Sequence, residues 1–73
     1  MEDNHQKFLR LATARTNKVL DTFRLLENLS NKSNYQYSDE EVDKIFKAID
    51  AELRECKKMF SKSSLKKNSK FEI

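Results

Sequence analysis

The sequence predicts an all-α protein, an antiparallel helical hairpin that dimerises into a four-helix bundle. Three observations carry this expectation. Two long segments place apolar residues at alternating spacings of three and four. The 73-residue chain has no glycine and no proline, so nothing interrupts a helix and nothing offers the tight turns of a β protein. One polar stretch, rich in Asn and Ser, separates the two segments.

The first helix is expected over residues 6–29. Leu9, Ala12, Thr16, Val19, Phe23 and Leu26 form its seam, with Leu20 and Leu29 beside it. Leu11 and Leu25 carry apolar surface further round than one partner helix requires. The stretch "NLSNKSN" then supplies side chains that bond their own backbone and accept turn conformations. Asn is also the usual stand-in for glycine where a helix end takes a left-handed residue. The loop is placed at 30–38.

The second helix, expected over 39–61, has the clearer start. Ser38 is its N-cap, and Glu41 stands where it reaches back to complete a capping box. Tyr37 before the cap and Val42 beyond it are spaced as a hydrophobic staple. Asp39, Glu40 and Glu41 fill the first turn, where the helix dipole favours negative charge, and Lys57 and Lys58 fall near the other end. Val42, Phe46, Ile49, Leu53, Cys56 and Phe60 make an unbroken seam, flanked by Ile45 and Met59. Residues 62–73 hold four lysines and one glutamate without a sustained period, which reads as a basic flexible tail.

A loop of roughly eight residues makes its two helices antiparallel neighbours, with arms about 35 Å long. Two helices cannot enclose a core, and Leu11, Leu25, Ile45 and Met59 stay wet. A chain this short rarely gains more than about 3–5 kcal/mol from one core, whereas pairing two hairpins buries both faces. A homodimer is therefore expected. Its dimer or core seam is Val19, Phe23, Leu26, Val42, Phe46, Ile49, Leu53, Cys56 and Phe60. The alternatives are packing against a different protein, and a monomer or higher oligomer.

No catalytic constellation emerges. Capping and dipole complementarity account for Asp39 and Asp43, and a phosphate-cradling loop needs glycine. Cys56 is read as a small buried hydrophobe of the seam, with a reactive thiol or an intermolecular disulfide as alternatives. A single cysteine forms no internal disulfide, and with only His5 besides it gives no zinc-ligand spacing. No enzyme, cofactor or metal is expected. No apolar run is long enough to span a bilayer, the first residues lack the features of a secretory signal, and a cytoplasmic location is the expectation.

The remaining candidates are surfaces. Arg10, Asn17 and Arg24 recur every seven residues, and Lys7, Lys18 and Arg15 add to that basic side. Arg10 and Arg24 stand about 21 Å apart along a helix, a span that fits phosphates of one backbone, and the net charge of +3 permits such binding. Arg10, Asn17, Lys18 and Arg24 are thus the candidate nucleic-acid contact. The bland alternative is a solvated helix face, which acidic Asp21 interrupts. Leu11, Leu25 and Tyr35 are the candidate contact for a protein partner. Tyr35 either packs across the hairpin end or stacks on a base or a partner side chain. The tail lysines either add electrostatic affinity or keep the chain soluble.

Residues 15–60, with the blocks "RTNKVL", "NLSNKSNY" and "KIFKA", resemble a group of small uncharacterised α-helical proteins of bacterial mobile elements. These are often encoded near plasmid or conjugative-element genes. Members often carry Gly where Glu27 stands here, so the end of helix one differs in detail. The resemblance implies a bacterial, mobile-element context and lends no activity. In architecture alone, the expected hairpin also resembles the plasmid repressor-of-primer hairpin, which dimerises and binds paired RNA loops.

The expected function is that of a small non-enzymatic accessory or regulatory module, acting by protein–protein binding as a homodimer. The alternative is a nucleic-acid-binding regulator that uses the basic face of helix one and the lysine tail.

Overall fold

Each stretch that can sustain a helix forms one. A computed structural model describes residues 1–67, with side-chain surroundings through residue 62. The described residues are all-helical: two α-helices and one short 3-10 turn, with no strand. They fall into two units, Met1–Gln36 and the residues from Tyr37 onward.

In the first unit, α1 spans Asn4–Glu27, about 36 Å at 1.5 Å per residue. It starts two residues before the expected boundary because Asp3 caps it. The Gln6 N–H donates to Asp3 Oδ1 at 2.7 Å, and the Asp3 N–H donates to Gln6 Oε1 at 3.1 Å. This is a capping box that satisfies two otherwise orphaned donors. The signal stands in the sequence as "DNHQ", Asp three residues before Gln.

The expected left-handed Asn at the end of α1 is not what the chain uses. No described residue has a positive φ. The helix instead tightens into the 3-10 turn Asn28–Ser30 and leaves through an extended Asn31 at φ −71°, ψ 102°. Tightening reuses the last carbonyls without the steric cost of a left-handed L-residue. Asn31 then organises the connector. Its side-chain Oδ1 accepts from the Ser33 N–H at 3.0 Å, and its carbonyl accepts from Asn34 and Tyr35 at 3.1 and 3.0 Å.

In the second unit, α2 spans Asp39–Lys67. Its capping box forms as the sequence leads one to expect. The Ser38 N–H donates to Glu41 Oε1 at 2.8 Å, and the Glu41 N–H donates to Ser38 Oγ at 3.2 Å. Tyr37 and Val42, the expected staple residues, are both half-buried. The helix runs on past residue 61, so 62–67 are helical rather than a flexible tail. Nothing in "SKSSLKK" is a stop signal, and adding a residue to an existing helix costs far less than starting one. Residues 68–73 of the expected tail lie outside the described residues.

Neither helix by itself can bury its apolar stripe, and no described residue is buried. Leu11, Ala12, Phe23 and Leu26 are half-buried in the first unit, and Tyr37, Val42 and Ile49 in the second. Other seam residues are open: Val19 is 54% exposed and Phe46 48%. Phe8 lies outside the expected seam but on its face. It stands four residues before Ala12 and three before Leu11, spacings that signal a shared side.

Candidate functional site

The candidate surface of α1 has two lines of residues. Arg10, Asn17 and Arg24 lie on one line at heptad spacing. Leu11, Lys18 and Leu25 follow a second line one residue on, about 100° further round. Lys18 therefore sits between the two leucines offered for a protein partner, not between the arginines offered for nucleic acid. Leu25 is 67% exposed, whereas Leu11 is half-buried near the apolar stripe.

The arginines are occupied. Arg10 Nε donates to Glu2 Oε2 at 2.8 Å, and its Nη2 donates to Glu2 Oε1 at 3.0 Å. This two-pronged bond holds the Arg10 pKa above its ordinary value, against a lesser opposing effect of desolvation. Arg24 Nη1 donates to Asp21 Oδ1 at 2.7 Å. Both pairs are exposed ion pairs, of the kind that contributes little to stability. They matter for function because each arginine offered to a phosphate already holds a carboxylate. Among the described residues, Lys7, Arg15 and Lys18 form no ion pair. Asn17 is exposed.

Glu2 was not a candidate residue. Its partner stands eight residues away, outside the i,i+3 and i,i+4 spacings that signal a pair on a helix. Glu2 lies just before the N-cap, and a helical side chain such as that of Arg10 leans towards the N-terminus, which brings the two within reach. Asp21 and Arg24 are spaced i,i+3, so that pair is legible in the sequence.

On α2, Lys47 pairs with Asp43 at 2.9 Å and Lys58 with Glu55 at 3.6 Å. Cys56 is a free, exposed thiol within one chain. Tyr35 is about half exposed at the end of the Asn31 turn. The described residues hold no group of three His, Cys, Asp or Glu side chains that would bind a metal ion. No described helix is long and apolar enough to cross a membrane. What each helix offers chemically is an apolar stripe bordered by charged side chains.

Compared with protein-family models, with curated proteins and with solved structures, the chain matches none of them.

Proposed function

We propose that this chain is a small non-catalytic interaction module that works as a homodimer. Its helices close as an antiparallel hairpin, and two hairpins pair into a four-helix bundle. One observation carries the reading: an apolar stripe runs along each helix, from Val42 to Phe60 on α2, yet no described residue is buried. A stripe of that length is stable in water only when something covers it, and a second copy supplies the matching surface at no cost in new sequence. Leu25 and Tyr35, which lie off the stripe, are left for a further protein partner. The three sequence blocks favour an accessory or regulatory role in a bacterial mobile element, in the cytoplasm.

Nucleic acid is the second reading, and Lys7, Arg15 and Lys18 favour it by forming no ion pair among the described residues. The occupied guanidinium groups of Arg10 and Arg24 weigh against it.

Sedimentation equilibrium tests the first reading. The wild-type chain is expected to be a dimer at micromolar concentration, and Leu53→Asp a monomer with reduced helicity. A wild-type monomer across the concentration range overturns the homodimer.

A further inference from the structure

We propose that the second copy is met through α2, and that the two α2 helices run antiparallel about a two-fold axis at Ala51. The inference rests on the homodimer reading and adds its interface. The seam Val42, Phe46, Ile49, Leu53, Cys56, Phe60 has spacings of four, three, four, three, four, the same in either direction. Laid antiparallel about residue 51, Val42 of one copy meets Phe60 of the other, Phe46 meets Cys56, and Ile49 meets Leu53. All six seam positions are matched, over about 27 Å of helix.

A parallel pairing also aligns the seam with itself, so charge and flanking residues choose the direction. Asp39, Glu40 and Glu41 fill the first turn of α2, with Asp43 just beyond. Arg54, Lys57, Lys58 and Lys62 follow in its later turns. Parallel copies set the acidic first turns beside each other and the basic later turns beside each other. Antiparallel copies set the acids of one beside the cations of the other and oppose the helix dipoles.

The borders of the seam agree. In an antiparallel pair, residues on the same border face each other. Asp43 of one copy then falls beside Lys57 of the other, and Ile45 beside Met59, each contact made twice by the symmetry. Ile45 is 41% exposed and Met59 67% within one chain, and this register covers both. Parallel copies leave them facing Asp50 and solvent. Among the described residues Asp43 pairs with its neighbour Lys47, and Lys57 forms no ion pair. The opposing contacts are Asp50 and Glu52, each of which faces its own counterpart near the axis. Parallel copies gain Glu52 against Lys57 instead, but they forfeit both the apolar border and the match of the ends.

Oxidative cross-linking and a charge swap in the full-length chain test the direction. In this register the two Cys56 residues lie about 15 Å apart along the axis, beyond the roughly 7 Å between Cα atoms that a disulfide spans. Mild oxidation of the wild type is therefore expected to give no covalent dimer, while Phe46→Cys is expected to cross-link to Cys56 of the other copy. Asp43→Lys is expected to raise the dimer Kd about tenfold, and Lys57→Asp added to it to restore the affinity. Residues 43 and 57 are about 21 Å apart within one helix, so restoration requires the second copy. Ready cross-linking of the wild type through Cys56, or no restoration in the double variant, overturns the antiparallel α2 pair and leaves the dimer standing. A monomeric wild type overturns both.

Discussion

Glu2 holds Arg10 with both carboxylate oxygens, at 2.8 Å to Nε and 3.0 Å to Nη2. An arginine held in this way presents few donors to a phosphate. Neutralising the two carboxylates by Glu2→Gln and Asp21→Asn is therefore expected to raise affinity for duplex DNA and RNA at low salt. It should also steepen the salt dependence by about one unit of log–log slope per freed cation. Arg10→Ser with Arg24→Ser is expected to leave whatever weak binding exists nearly unchanged. Fluorescence anisotropy across a salt series reads both. Strong binding by the wild type that disappears with the two arginines would make α1 a nucleic-acid face after all.

The same bond fixes a pH expectation. A raised Arg10 pKa means that its stabilisation is complete below the ordinary guanidinium value and is lost only as pH rises through the raised one. The effect of Arg10→Ser on the thermal midpoint should therefore be flat from about pH 7 to pH 10. A midpoint difference that falls away within that window would assign the pair another role.

Both helices begin at a capping box, so both caps should be felt. Asp3→Ala and Ser38→Ala are each expected to cost about 0.5–2 kcal/mol. Urea denaturation followed by circular dichroism measures this. If Ser38→Ala has the cost and Asp3→Ala has none, the first turn of α1 frays in solution despite its geometry.

The seam separates a bundle from a pair of independent helices. Phe46→Ala or Leu53→Ala is expected to cost about 2–5 kcal/mol if the stripe is covered. Leu25→Ala, off the stripe, should stay within about 0.5 kcal/mol. Phe46 is 48% exposed in the single chain. A full core-sized cost on its truncation thus measures burial that only a further surface provides.

The connector depends on one residue. Asn31→Ala removes the acceptor for the Ser33 N–H, and a loss of about 0.5–1.5 kcal/mol is expected. Tyr35→Ala should leave stability unchanged while weakening any partner that docks there. Stability that falls with Tyr35 instead would make that ring structural.

Much of this was legible in the sequence, because it follows from local rules. The heptad spacing of Val42 to Phe60, the reciprocal bonds of Ser38 and Glu41, and the absence of any glycine or proline between them determine α2 and its start. The start of α1 was missed by two residues, although its cap stands in the sequence as "DNHQ", because the heptad spacing of apolar residues begins only further along. The end of α2 was not legible, since a helix stops where its stop signals are and "SKSSLKK" has none.

The sequence by itself thus determined two amphipathic helices, the capped beginning of the second and the polar stretch between them. Those depend on residues three or four apart, and a helix makes such neighbours touch whatever else the chain does. Only the three-dimensional structure decided that Arg10 is spent on Glu2, and that the chain leaves α1 through an extended Asn31 and not a left-handed one. Both depend on the path of the backbone just outside a helix, where no fixed period relates residue number to position in space.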